Sequence, residues 1–292
     1  MVAVGDEGPA DRVVARGDRA LEARLRRLAQ RRLVFLAGLP GTGKSLVVHQ
    51  LAHLAAEAGR RVHLLQWDVA RPVFEASPAG RRYPLRDGVT HAVIRKAAGL
   101  WVRQAVVAWN ERHPGPEPIL IGETPFAGGR FVELARPLDD GAEADLTSAS
   151  CRFVIAVPSR AVRRFLEAER ARRSDHPLHP REREDAPPRV LRDLWRELAQ
   201  IAGRLGIGEP SDDYDPAVYR RVYETILRHR NVESLPLEVI LPTETLSVYD
   251  FAVDPPNLVP TDDETRVFVA AVERRYPDPT VLEREIEGWW EE

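Results

Sequence analysis

A glycine-rich loop between an apolar strand and a helix is the feature that most constrains this chain. The loop, Gly38-Leu39-Pro40-Gly41-Thr42-Gly43-Lys44-Ser45, fits the pattern G-x-x-x-x-G-K-[S/T] at every fixed position. The five residues before it, 33–37, are all apolar, and apolar residues recur at helical spacing after it. The sequence therefore predicts a strand that turns through this loop into a helix.

The residue types of the loop predict phosphate binding. Glycines at three positions allow close approaches that a Cβ would forbid, so successive backbone N–H groups can face phosphate oxygens. The start of the next helix adds the positive end of its dipole. We expect Lys44 to reach the β- and γ-phosphates of ATP and the Ser45 hydroxyl to bind Mg²⁺. The residues expected to contact the nucleotide are Gly38, Leu39, Pro40, Gly41, Thr42, Gly43, Lys44 and Ser45.

Lysine usage supports this interpretation. Of the 42 lysine and arginine residues, only Lys44 and Lys96 are lysine. A chain that otherwise uses arginine keeps lysine in the loop, where the bulkier planar guanidinium is not an equivalent. The alternative is a chance glycine-rich turn, which the flanking strand and helix disfavour.

Two acids are predicted at the edge of the sheet where the loop lies. A second strand is predicted over 61–67 and is followed by Asp68, and a third over 118–123 ends in Glu123. Ligands of open parallel sheets bind beyond the carboxyl ends of the strands. Glu123 is the candidate for ordering Mg²⁺, and Asp68 for accepting a hydroxyl proton or capping a helix. Which of the two acids is the base stays open.

Three basic residues near this edge are candidates for holding an acceptor substrate. Arg71 is a candidate for binding an anionic group through a bidentate contact. His91 lies near the start of a long helix predicted from about 89 to 112, and Arg130 follows a glycine-bearing segment after the third strand. The structural alternatives are a surface arginine, a surface histidine and a turn residue.

A lid is predicted at about 170–190. After a fourth strand at 152–157, Ser159 is a predicted cap for a helix that carries several arginines. Residues 174–188 are rich in proline and charge and predict no regular element, and a new helix starts at 189. Such a lid would bring arginines over the phosphates and exclude water.

The remaining segments predict a fifth strand and a helical tail. Residues 237–243 are the expected strand, and two short helices are expected at about 263–275 and 279–290. The acidic stretch 139–145 lacks the spacing of a calcium loop and is expected to be solvated.

This order of motifs resembles the P-loop kinases of nucleosides, nucleotides and other small metabolites over about residues 30–245. The resemblance is highly specific at residues 38–45. Elsewhere it lies in the order of the predicted strands, helices and charged residues. It implies an α/β, three-layer P-loop NTPase fold with a five-stranded, mostly parallel sheet, a helical lid and a C-terminal helical extension. It also implies that Arg170 and Arg173 neutralise the transferred phosphoryl group, and that Thr243 lies near the adenine.

The predicted organisation has three parts. An N-terminal extension with an amphipathic helix covers 1–30, and the tail covers 246–292. Between them, 31–245 forms the kinase-like domain, with a long insertion at about 77–115 that departs from the usual members of the family.

Composition narrows the cellular setting. A net charge of −3 gives no general attraction to nucleic acid or to anionic membranes. The single cysteine, Cys151, excludes internal disulfides and is expected to be buried in a strand. No signal-like start and no run of 18 apolar residues is present, so we expect a cytoplasmic protein that does not span a membrane.

These observations predict an ATP- and Mg²⁺-dependent kinase that phosphorylates a small-molecule acceptor such as a nucleoside, a nucleotide or another hydroxylated metabolite. The alternative is a nucleotide-driven regulatory ATPase or switch protein. A group transfer to RNA is disfavoured by the acidic net charge. Trp289 and Trp290 are expected to pack on the body of the protein or on the second subunit of a homodimer.

Overall fold

The computed structural model describes residues 12–251 and 255–291, which form a five-stranded sheet and ten α-helices. The strands are β1 (Leu33–Ala37), β2 (Arg61–Gln66), β3 (Pro118–Thr124), β4 (Cys151–Pro158) and β5 (Val232–Leu237). The helices are α1 (Arg19–Leu28), α2 (Lys44–Glu57), α3 (Trp67–Ala76), α4 (Ala92–Arg112), α5 (Ala142–Thr147), α6 (Arg160–Asp175), α7 (Pro188–Arg204), α8 (Pro216–Ile226), α9 (Asp262–Arg275) and α10 (Pro279–Glu287).

The sheet is parallel throughout, in the order β2-β3-β1-β4-β5. This confirms the prediction of an α/β protein with a parallel sheet. All five residues of β1 are buried, as expected for a strand with helices on both faces. From β1 the chain passes to β2 on one side of the sheet, and from β3 it crosses over to β4 on the other side. Ligands of open parallel sheets bind beyond the carboxyl ends of the strands at such a change of direction.

Alternate residues of β1 belong to two hydrophobic cores. Phe35 packs in the core formed with α3, α4, α7, α8 and α9, whereas Leu36 packs in the core formed with α1, α2 and α6. The side-chain period of two in a strand produces this division. Helices therefore cover both faces of the sheet, as the expected three layers require.

Side chains cap the starts of α1 and α6, and the cap at Ser159 confirms a prediction. The Asp18 carboxylate accepts hydrogen bonds from the first backbone N–H groups of α1, and the Ser159 hydroxyl accepts one from Val162 in α6. The start of the predicted N-terminal extension, residues 1–11, lies outside the described residues.

The predicted position of the fifth strand is wrong. β5 covers Val232–Leu237, and the residues predicted as strand beyond it, including Thr243, are irregular. β5 pairs only with β4, and an edge strand tolerates Pro236. Val239 and Ile240 are 48% and 47% exposed, so the apolar run that suggested a strand does not enter the sheet.

The C-terminal helices pack on α4, which the sequence analysis placed in an insertion. Trp289 is buried on this body. The acidic stretch 139–145 is not simply solvated, because Asp140 and Glu143 form ion pairs with the buried Arg103. No helix in the described part of the chain combines the length and the apolar character that crossing a bilayer needs.

Candidate functional site

The glycine loop (residues 38–45) connects β1 to α2 at the carboxyl edge of the sheet. The φ angles of Gly38, Gly41 and Gly43 are 144°, 74° and 85°, in the region that favours glycine. A Cβ on Gly38 would lie 2.0 Å from the Tyr219 hydroxyl of α8. The predicted strand, loop and helix are therefore observed, and neighbouring side chains pack tightly on the loop.

Lys44 and Ser45, the last two loop residues, both face Glu123 at the end of β3. The Lys44 Nζ donates to the Leu39 carbonyl at 2.9 Å and lies 3.8 Å from the Glu123 Oε1. The Ser45 hydroxyl donates to the same Oε1 at 3.0 Å. The structure thus joins the predicted phosphate-binding cation and the two predicted metal ligands in one cluster.

The ammonium group of Lys44 is not fully neutralised. Its side chain is only 4% exposed, and burial lowers its pKa although Glu123 and Asp68 act in the opposite direction. The positive charges of Arg170 and Arg163 lower the pKa further, and the Arg163 guanidinium donates to the Pro40 carbonyl of the loop at 3.1 Å. Burial likewise raises the pKa of Glu123. A bound anion would stabilise the charged form of Lys44, and a bound cation would stabilise that of Glu123.

Asp68 lies in the first turn of α3, directly after β2, and its side chain is exposed. Its charge influences the pKa values of Lys44 and Glu123, so the three residues share the carboxyl edge of the sheet. Arg71 follows one turn later and forms an ion pair with Glu75 at 3.0 Å. The predicted acceptor arginine on this helix therefore already has an acidic partner.

Arg130 differs from Arg71 because the described residues provide no ion pair or hydrogen bond to its guanidinium. Burial lowers its pKa, with Asp68 acting in the opposite direction. Its backbone is held between Phe126 and Phe131, two buried residues with φ values of 60° and 61°. Such angles are rare for bulky side chains and occur where surrounding packing enforces them.

His91 has a structural role in this conformation. Its Nδ1 accepts a hydrogen bond from the Val93 N–H at 3.2 Å and caps α4, and its ring packs beside Tyr83. None of its described contacts is with the glycine loop.

The two predicted lid arginines have different surroundings. Arg170 forms an ion pair with Asp185 at 3.1 Å and lies close enough to affect Lys44. Arg173 forms an ion pair with Glu182 at 3.0 Å and donates to the carbonyls of Thr243 and Leu246. The described contacts of Arg173 therefore join α6 to Glu182 and to the segment after β5, whereas Arg170 pairs only with Asp185 among the described residues.

An apolar groove lies beside the loop, between α1, α2, α6 and the segment after β5. Thr243 lies on its wall. The groove is also lined by Gly43, Leu46, Val47, Phe165, Leu166 and Ile240.

Sequence reasoning missed several residues that surround the loop. Arg163 is buried, donates to the carbonyls of Pro40 and Leu191, and pairs with Glu167 at 2.7 Å. Its position four residues after the Ser159 cap was a usable signal, but several other arginines on the same helix gave no reason to choose it. Asp185 and Tyr249 carried no motif.

The described residues contain no group of three or more metal-binding side chains. A Mg²⁺ ion at Ser45 and Glu123 would thus need phosphate oxygens and water as further ligands, which is its usual preference. Comparison of the chain with protein-family models, curated proteins and solved structures returned no match.

Proposed function

We propose that this protein is an ATP- and Mg²⁺-dependent phosphotransferase that acts on a small-molecule acceptor. The observation that carries the proposal is the incompletely neutralised Lys44 at the start of α2, 3.8 Å from Glu123 and beside the Ser45 hydroxyl. This is the chemistry that a P-loop needs for a polyphosphate and its metal ion.

The nucleotide would lie along residues 38–45. Backbone N–H groups of the loop and the start of α2 would face its phosphates, and Lys44 would turn from the Leu39 carbonyl to the β- and γ-phosphates. The base would lie toward the adjoining apolar groove, which has Thr243 on its wall and whose cavity of about 40 Å³ would have to widen to admit a purine.

Ser45 and Glu123 would hold Mg²⁺, which neutralises charge on the phosphates. Because Glu123 already accepts from Ser45 and faces Lys44, the arrangement favours Asp68 as the base. Asp68 is exposed and forms no ion pair within the described part of the chain.

The acceptor would bind between α3 and the turn that carries Arg130, with Arg71 at the edge and His91 farther along the same side. Arg170 would neutralise the transferred phosphoryl group, and Arg173 would support it by holding the lid. Phosphoryl transfer needs mainly positioning and charge neutralisation, which these residues supply.

We expect such an enzyme to act in the cytoplasm, as a monomer or a homodimer, on small molecules rather than on nucleic acid. Its single cysteine is buried at the start of β4, where burial raises the thiol pKa to about 12, and takes no part in the chemistry.

The test is ADP release with ATP, Mg²⁺ and a panel of nucleosides, nucleotides, sugars and small acids. Release that rises at least about tenfold with one acceptor supports the kinase. Slow release that no acceptor changes supports the regulatory ATPase instead. The Lys44→Ala variant should abolish release, and Arg220→Ala, which removes an exposed arginine of α8, is the matched control.

A further inference from the structure

An ion pair with a tyrosine partner lies at the opening of the glycine loop. Arg170, near the end of α6, lies 3.1 Å from Asp185. Asp185 directly follows a 3₁₀ helix at Pro180–Glu184, so the prediction that residues 174–188 hold no regular element is wrong. The Tyr249 hydroxyl donates to the same Asp185 carboxylate at 2.6 Å. The Asp185 carboxylate thus binds both Arg170 and Tyr249, which lie far from it and from each other along the chain.

The cluster lies on the face of α6 that packs against the glycine loop. Arg163 donates to the Pro40 carbonyl, and a Cβ on Gly43 would lie 3.6 Å from Leu166. Arg170 follows Leu166 by one turn on the same helix face.

Arg170 lowers the pKa of Lys44, whose pKa is lowered mainly by burial. The charge of Asp68 acts on Asp185, and that of Glu123 acts on Tyr249. The charges of the cluster therefore interact with those of Lys44, Asp68 and Glu123, the three residues to which the proposed reaction assigns the phosphates, the acceptor proton and the metal ion.

Asp185 is an anion on a guanidinium that the proposed reaction assigns to phosphate. The side chains of Arg170 and Asp185 are each 20% exposed, so water and a ligand can reach the pair. Arginine forms charge-assisted pairs with carboxylates and phosphates in the same forked geometry. A polyphosphate bound at Lys44 would compete with Asp185 for Arg170.

Other contacts hold the lid without Asp185. Glu182 accepts from the Ser247 hydroxyl at 2.7 Å and from the Leu178 N–H at 2.7 Å, and it pairs with Arg173. These bonds already join the segment before α7 to residues 243–249. The Asp185 pair is therefore not required to attach the lid to the body.

We propose that Asp185 is an internal competitor of the nucleotide: its carboxylate pairs with Arg170 beside the glycine loop, and a bound polyphosphate displaces Asp185 from Arg170. Tyr249 is a positioning residue, since its hydroxyl orients the carboxylate toward Arg170. This inference rests on the proposed function, because it assumes that a polyphosphate binds at Lys44.

Binding of the non-hydrolysable ATP analogue AMP-PNP with Mg²⁺, measured by calorimetry, tests the proposal. Asp185→Asn should tighten binding by about fivefold, since a partly exposed ion pair no longer has to be broken. Tyr249→Phe should tighten it by about twofold, and Arg170→Ala should weaken it by about tenfold. If Asp185 had only a structural role, its loss would weaken binding or leave it unchanged.

A double variant shows whether the effect passes through Arg170. In the Arg170→Ala background, Asp185→Asn should no longer change the affinity, because no guanidinium remains to compete for. Asp212→Asn, which removes the exposed partner of Arg196, is the matched control and should leave binding unchanged.

Each outcome decides between the two proposals. If the unsubstituted protein binds no AMP-PNP at millimolar concentration, the proposed function fails and the competitor role fails with it. If that protein binds but Asp185→Asn binds no more tightly, only the competitor role is overturned. Should Asp185→Asn unfold, as circular dichroism would show, unchanged or weaker binding by Tyr249→Phe overturns the proposal.

Discussion

The two lysines of this chain lie in two different electrostatic settings. Both are nearly inaccessible, with side chains 4% exposed at Lys44 and 6% at Lys96, and each faces a glutamate at the end of or beyond β3. Lys44 lies 3.8 Å from Glu123, whereas Lys96 lies 2.9 Å from Glu133 and 2.6 Å from Glu285. One cation is loosely compensated and the other is closed between two carboxylates.

The pKa directions show the consequence of this difference. Burial would lower the pKa of both lysines, and it does so for Lys44. At Lys96 the Glu133 and Glu285 carboxylates outweigh burial and raise the pKa. A saturated buried cation holds the protein together, because it has no capacity left for a ligand. A buried cation whose charge is only partly balanced by neighbouring carboxylates can still bind an anionic ligand.

The largest effect is expected on stability at Lys96. Lys96→Met keeps the length of the side chain but leaves the fully buried Glu133 without its cation. The free energy of unfolding, measured by urea denaturation, should fall by about 3–5 kcal/mol. Adding Glu133→Gln should restore part of this loss, because the unpaired buried charge is then removed. A loss below about 1 kcal/mol would show that the two lysines are not distinct.

Replacement of Lys44 should affect activity rather than stability. Lys44→Ala should reduce ATP turnover by about 10²–10³-fold, since a preorganised charge on the phosphates is lost. The free energy of unfolding should fall by only about 1 kcal/mol, because the nearest carboxylate, that of Glu123, lies 3.8 Å away and its side chain is 15% exposed to water. Lys44→Arg should not restore turnover. Unchanged ATP turnover in Lys44→Ala would end the proposed function.

Acid should weaken the Lys96 cluster. Burial alone would raise the pKa of Glu285, but its hydrogen bonds with Lys96 and Tyr276 lower the pKa to about 2. A carboxyl whose folded-state pKa is below its unfolded value of 4.5 stabilises the protein above that value. This stabilisation, on the order of 2 kcal/mol, should disappear as the pH falls from about 5 to 2.

The measurement is the free energy of unfolding as a function of pH for the unsubstituted protein and for Glu285→Gln. The variant should be less stable at pH 7 and show a flatter acid dependence. Glu117→Gln, at an exposed pair with Arg61, provides the control. Parallel curves for all three proteins would rule out the assigned role of Glu285.

The smallest effect is expected on the KM for the acceptor, when Arg130 is compared with Arg71. Arg71 is paired with Glu75, whereas Arg130 has no such partner among the described residues. Arg130→Ala should therefore raise the KM for the acceptor by about tenfold, and Arg71→Ala by less than about threefold. The KM for ATP should not change in either variant. A larger effect at Arg71 than at Arg130 would show that the ion pair with Glu75 does not keep Arg71 from the acceptor.

The local part of the site could be predicted from the sequence. The strand, the glycine loop and the start of α2 are contiguous, and their residue types require their backbone conformations, as the φ angles at Gly41 and Gly43 show. Glu123 was predictable too, because a short apolar strand in a parallel sheet delivers its last residues to one edge.

Other predictions failed or were incomplete where residues far apart along the chain determine the local structure. The apolar run after Leu237 looked like a strand, but the edge next to β4 is occupied by 232–237. The acidic residues Asp140 and Glu143 looked solvated, yet Arg103 from α4 reaches them. Neither partner is near in sequence, so no local pattern reported it.

The sequence by itself determined a parallel α/β architecture and a loop with the residue types of a phosphate site, because periodicity and glycine chemistry act over a few neighbouring residues. It did not distinguish Lys44 from Lys96 by their surroundings, nor did it connect Asp185 to Arg170. Only the tertiary structure decided which charges are neutralised, since a buried charge is governed by groups that folding brings within a few ångströms, regardless of their separation along the chain.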